Sequence, residues 1–184
     1  MPKLLVLFHS RGPDVIALAE AAADGARSVR FAEVDLRRLE EADAATQASA
    51  TDGAGRVHRT LAHVEDITAY DGLILALPAE GDAALALTPT FGALTESLVN
   101  KVGSVVTTAE GAERISLVWS ALTPMADRGM ILVPSPFTST DEPPTESARR
   151  LGKRVAEVIG WVTHARSHQH HEPHQHDHDS HHHH

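Results

Sequence analysis

The stretch Lys3-Leu4-Leu5-Val6-Leu7-Phe8-His9, followed at once by Ser10-Arg11-Gly12-Pro13-Asp14, decides the architecture. Leu4 to Phe8 is apolar at every position. A strand with one face in water alternates, whereas an unbroken apolar run of this length belongs to a strand buried on both faces of a parallel sheet. Ser10 to Pro13 forms a turn signal. Asp14 to Ala26 then carries Val15, Leu18, Ala19 and Ala22 at helical spacing, with Gly25 near the end.

Downstream the same order repeats. Val29 to Leu36 alternates and reads as a second strand, and residues 37–56, polar and alanine-rich, read as an excursion outside the core. A short helical segment, Val64 to Ala69, precedes a third strand at Gly72 to Leu77. Thr90 to Asn100 reads as a helix, Val102 to Thr108 as a fourth strand, and Ala112 to Ala126 as a helix capped by Gly129. Met130 to Val133, closed by Pro134, is the fifth strand. A last helix starts at Thr145-Glu146 and reaches about Thr163, with Leu151, Val155, Val158, Ile159 and Val162 along one side. The expectation is an α/β domain over residues 1–163: a doubly wound, five-stranded parallel sheet with helices on both faces. Residues 164–184 form a separate histidine-rich tail. Ligands of such sheets bind beyond the carboxyl ends of the strands, which directs attention to Ser10–Asp14, Pro78–Asp82, Thr107–Glu113 and Pro134–Phe137.

Bulk composition narrows the function classes. A length of 184 residues suits one domain with a proper core. Aromatics make up 4%, so that core should be aliphatic. Cysteine is absent, which excludes disulfide scaffolds, thiol catalysis and zinc–thiolate sites. The chain enters its first strand without a leader pattern, and no apolar run approaches the roughly 20 residues that cross a bilayer. A cytoplasmic protein without membrane insertion is expected. Net charge is −9; removing the tail's Arg166 and its three acids, Glu172, Asp177 and Asp179, leaves 15 basic and 22 acidic residues, or −7. An acidic body disfavours nucleic acid and anionic lipid as partners.

Five segments carry a family resemblance: LLVLFHSRG (4–12), ALAEAAADGA (17–26), AYDGLILALP (69–78), VGSVVTT (102–108) and RGMILVP (128–134). Through them, residues 3–163 resemble the flavodoxin-like NAD(P)H:quinone oxidoreductases of the WrbA type. AYDGLIL and GMILVP are the more specific phrases. The resemblance implies a flavodoxin-like fold, a homo-oligomer, and FMN held by three loops. Carried onto this sequence, the cofactor-binding positions are Ser10, Arg11 and Gly12 in the first loop, Pro78 and Gly81 in the second, and Thr107, Thr108 and Gly111 in the third.

Each loop departs from the family pattern. Hydroxyls and free N–H groups at a helix start suit a phosphate, and Arg11 could add a charge-assisted bond. Yet Pro13 removes a donor, and Asp14 places a carboxylate where a neutral residue is usual, reading instead as a helix N-cap. The second loop, Ala76-Leu77-Pro78-Ala79-Glu80-Gly81-Asp82, keeps the proline and one glycine of a pattern close to Gly-Thr-Pro-Thr-Arg-Phe-Gly-Asn; Glu80 and Asp82 oppose the negative edge of a reduced flavin. Phe91-Gly92 sits inside an expected helix. The third, Thr107-Thr108-Ala109-Glu110-Gly111-Ala112-Glu113, retains two hydroxyls but one glycine, and adds two acids. No aromatic stands in an evident ring-stacking position: Trp119 falls mid-helix at core spacing and Trp161 in the last helix. Three simultaneous departures argue that FMN is lost or held weakly.

Other catalytic constellations are thin. His9 could act as a general base at the mouth of the first loop, although a lone histidine at a strand end is more often structural. His58 and His63 precede the third strand. Ser10 and His9 are adjacent, so on a strand they face opposite sides. Walker A, GxGxxG and GxSxG patterns are absent.

The tail reads HQHHEPHQHDHDSHHHH from His168, with ten histidines and three acids. Such a segment cannot bury a core and is expected to be disordered without a ligand. Its imidazoles, His168, His170, His171, His174, His176, His178, His181, His182, His183 and His184, suit a divalent transition metal such as Ni²⁺, Cu²⁺ or Zn²⁺. His181–His184 also fit an expression tag, while the interleaved Gln, Glu, Pro and Asp favour a native tail. The sequence therefore supports a non-catalytic flavodoxin-fold protein acting through assembly contacts and a metal-binding tail. The alternative is an active FMN-dependent NAD(P)H:quinone oxidoreductase.

Overall fold

A computed structural model describes residues 1–9, 12–39, 49–51, 57–60, 64–79, 97–135 and 142–169. The apolar run at the amino terminus is strand β1 (Lys3–Phe8), with Leu4 to Phe8 all buried. Helix α1 (Pro13–Arg27) follows, then β2 (Glu33–Arg38), β3 (Ser49–Thr51), β4 (Val57–Thr60) and a 3₁₀ turn over Val64–Ala69. The remaining elements are β5 (Gly72–Leu77), β6 (Val102–Thr107), α2 (Gly111–Asp127), β7 (Ile131–Leu132) and α3 (Pro144–Gln169).

The strands lie in the order β3-β4-β2-β1-β5-β6-β7. The five expected strands, β1, β2, β5, β6 and β7, pair in parallel in the spatial order 2-1-3-4-5. Alternation along each strand builds the two core layers. Leu4, Val6 and Phe8 of β1, with Ile74 and Ala76 of β5, face α1 and α3. Leu5 and Leu7, with Leu73, Leu75 and Leu77, face Val118, Ala121, Leu122 and Met125 of α2. Helices thus cover both faces, as the absence of alternation in β1 requires.

Several boundaries differ from expectation. The second strand starts at Glu33 rather than Val29, because residues 28–32 form a turn in which Phe31 is left-handed (φ 70°) and exposed. The Arg30 guanidinium lies 4.7 Å from the Phe31 ring centroid, a cation–π contact that gives the exposed ring a partner. The 37–56 excursion contributes to the sheet after all: β2 continues through Arg38, and Ser49–Thr51 pairs antiparallel with β4, which pairs parallel with β2. Of the helix expected over Thr90–Asn100, residues 90–96 lie outside the described residues, and Ser97–Asn100 form a turn with Asn100 at φ 65°. Helix α3 runs six residues past Thr163, so His164 and His168 are helical. Trp119 is 51% exposed rather than core. The buried stripe of α2 runs Val118, Ala121, Leu122, Met125, and Trp119 is turned about 100° away from Val118.

Candidate functional site at the carboxyl edge of the sheet

The parallel strands β1, β5 and β6 end together, and their exits define the edge where a ligand of this architecture would sit. His9 follows β1 directly; it is half-buried and its backbone N–H donates to the Ala76 carbonyl at 3.2 Å, continuing the ladder one residue past the strand. Ser10 and Arg11 lie outside the described residues, as do Glu80, Gly81, Asp82, His63 and Phe91-Gly92.

Gly12 is the N-cap of α1, with extended backbone (φ −69°, ψ 132°) and no side-chain cap. The expectation that Asp14 caps this helix is corrected here. Proline fits the first helical position, where its missing N–H costs nothing, so Pro13 fixes the start and pushes Asp14 into the first turn, exposed. There its carboxylate meets the positive end of the helix dipole without bonding an N–H as a cap would.

The exits of β5 and β6 are tied to each other. Thr108 Oγ1 accepts the Ala79 N–H at 2.8 Å, and the Thr108 N–H donates to the Leu77 carbonyl at 3.3 Å. Thr107 Oγ1 accepts the Ala109 N–H at 3.1 Å, closing a turn on itself. Pro78 sits between, half-buried. Glu110 is the N-cap of α2, and Gly111 follows at φ 56°, a left-handed conformation that favours glycine. A Cβ on Gly111 would meet nothing within 4 Å, so no part of the described chain approaches it. Glu113 sits in the first turn of α2, exposed. Arg114 Nη2 donates to Ser135 Oγ at 2.8 Å, fastening α2 to the segment after β7. Buried Ser104 Oγ holds the same segment through the Val133 carbonyl at 2.6 Å.

Of the expected cofactor positions, the structure thus brings Pro78, Thr107, Thr108 and Gly111 onto one edge with Gly12. Of the expected metal positions, His168 is described and His170 onward is not.

Two features escaped the sequence. On β2, Asp35 accepts from the Tyr70 hydroxyl at 2.7 Å and from Arg37 Nη2 at 3.2 Å. The hydrogen bond from Tyr70 is the largest cause holding the Asp35 carboxyl below the usual aspartate value, with partial burial acting against it. Burial, followed by the bond to Asp35, pushes the Tyr70 phenol up to about 12. Beside it, Lys101 Nζ donates to the Thr68 and Tyr70 carbonyls at 2.7 and 2.6 Å. This cluster lies before the start of β5, away from the carboxyl edge, and acts as a structural brace. The second feature is the pairing of His164 with His168 on α3.

No family model matches the chain. An NAD(P)H dehydrogenase (quinone) of Acidithiobacillus ferrooxidans is 35% identical, over 77% of this chain and 74% of that protein. One of Archaeoglobus fulgidus is 32% identical, over 86% of this chain and 97% of that protein. Among solved structures, a Streptococcus pneumonia TIGR4 flavodoxin superposes with a TM-score of 0.60 at 16% identity, covering 84% of this chain and 98% of its own. Strand order, layer arrangement and sequence agree: the fold is flavodoxin-like, and the chain belongs to the NAD(P)H dehydrogenase (quinone) family.

Proposed function

We propose that this family member holds FMN weakly or not at all, and works as a cytoplasmic, non-catalytic homo-oligomer whose histidine-rich carboxyl end binds a divalent transition metal. The observation that carries the first part is the stitching of the β5 and β6 exits. Among the described residues of this edge, the Ala79 and Ala109 N–H groups are already taken up by the Thr108 and Thr107 hydroxyl oxygens. A flavin acceptor would have to displace a hydroxyl oxygen to reach either N–H, at about 1 kcal/mol net each. Three described acids, Asp14, Glu110 and Glu113, stand in or beside the first turns of α1 and α2, where a phosphate or a reduced flavin would prefer neutral donors. The described residues therefore fit FMN poorly.

For the metal, the support is the density of imidazoles from His164 on, close enough in sequence for several to reach one ion. For assembly, it is the apolar surface that α2 leaves uncovered at Ile115 and Trp119, one turn apart.

Titration of the purified chain with FMN, followed by flavin fluorescence, tests the reading. Absence of saturable quenching and of NAD(P)H-dependent quinone reduction is expected; one-to-one quenching with turnover would overturn it. The second reading, an active FMN-dependent NAD(P)H:quinone oxidoreductase, is favoured by the identity of 32–35% to proteins bearing that kind of name. The same titration decides between them.

A further inference from the structure

The geometry points to His164 and His168 as a preformed two-nitrogen site for a divalent transition metal, built on helix α3 rather than on the tail that follows it. The inference rests on the metal-binding reading above and adds a ligand, His164, together with a rigid anchor. Four residues apart, the two side chains meet on one face of the helix. Their rings stand edge-to-face at 79°, with centroids 4.5 Å apart, and the two Nε2 atoms lie 3.2 Å from each other. Both rings are exposed, so an ion can reach them from solvent.

That separation matches a metal chelate. With bonds of about 2.0–2.1 Å, two imidazole nitrogens on one ion stand about 2.9 Å apart at a right angle and about 3.3 Å apart at a tetrahedral angle. The observed 3.2 Å lies between these limits, so turning the two exposed rings lets both nitrogens meet one ion without moving the helix. Without metal, one ring's N–H donates to the other ring's nitrogen; an ion instead takes a lone pair from each.

The surroundings agree. Arg166, two residues from each histidine, falls on the opposite side of the helix by its place in the 3.6-residue repeat. The pair sits in the last turns of α3, where the helix dipole favours a cation. Among the described residues no set of three metal-binding side chains occurs, so the helix supplies two ligands and leaves other positions open to water. Imidazole donors of this kind suit Cu²⁺, Ni²⁺ or Zn²⁺.

Trp161 provides the readout. It is 68% exposed and lies three residues before His164 and seven before His168, on the same helix face. The experiment uses the full-length chain with Trp119→Phe, leaving Trp161 as the single tryptophan to be excited selectively, and with the nine histidines from His170 onward changed to glutamine. Copper(II) chloride is expected to quench Trp161 saturably at one equivalent. His164→Gln and His168→Gln should each weaken that binding by about a hundredfold, the gain expected from a second ligand held on the same scaffold. Quenching unaffected by His164→Gln, or no saturable quenching before it, would overturn the inference. A companion chain with the tail restored and both His164→Gln and His168→Gln reports on the tail alone, so the failure of either idea is seen separately.

Discussion

Tyr70 is the single tyrosine of the chain, so its ionisation can be followed by tyrosinate absorbance without interference. The titration midpoint is expected near 12, and Asp35→Asn should bring it partway back towards 10, because burial is the larger cause of the rise and the Asp35 bond the second. A wild-type midpoint near 10 would contradict the brace. The sign for stability follows from the direction of each shift. For Tyr70 the folded value is raised, so its contribution is full below about pH 10 and is lost as pH rises towards 12. For Asp35 the folded value is lowered, so its contribution is present above the ordinary 3.8 and is lost as pH falls through the folded value. Tyr70→Phe should destabilise the fold at neutral pH by about 1 kcal/mol, given partial exposure of both groups. The loss should shrink in acid, as seen in urea unfolding at several pH values. At the carboxyl edge the residue-scale expectation runs the other way. If acids help keep FMN out, Asp14→Asn with Glu110→Gln should strengthen FMN binding about threefold to thirtyfold, since each of the two charges near a helix start is worth about 0.3–1 kcal/mol. Unchanged affinity would mean that the stitched loops alone decide.

At the scale of elements, α1 and α3 pack with backbones nearly touching on the outer side of β1. A Cβ on Gly25 would overlap the Arg149 carbonyl, and one on Gly152 would overlap the Ala22 carbonyl. Glycine in a helix interior is normally about 1 kcal/mol worse than alanine, so both positions give up propensity for contact. Gly25→Ala or Gly152→Ala should therefore destabilise by about 1–3 kcal/mol despite improved propensity. Gly160→Ala on the same α3, where a Cβ meets nothing, should stabilise by up to about 1 kcal/mol. Thermal unfolding of the three variants checks the contrast in sign; a stabilising Gly152→Ala would show that the helices separate freely. This scale was the most legible one in the sequence. β5 and the 3₁₀ turn coincide with the expected Gly72–Leu77 and Val64–Ala69; for β5 the reason is that a fully buried run bounded by turn residues has few ways to fold. The start of β2 was not legible: Val29 and Phe31 look like strand residues, and only the left-handed Phe31 shows that the chain is still turning. Nor was the end of α3, whose polar last turns carry no apolar stripe to count.

For the whole molecule, the doubly wound architecture could be read from unbroken apolar strands alternating with helices, and relatives and fold agree with it. The site was less legible. Sequence placed Thr107 and Thr108 at the end of the fourth strand, where they stand, but whether a hydroxyl faces a ligand or a neighbouring loop is set by distances between residues 29 apart, such as Ala79 and Thr108. The His164–His168 pair needed the helix to continue past Thr163 before its spacing meant anything. The weak or absent FMN binding proposed for this family member rests on the bonded exits of β5 and β6. It is tested most directly by the visible absorption spectrum of the chain purified without added flavin. A colourless protein with no flavin band is expected, whereas stoichiometric FMN retained through purification would contradict the account.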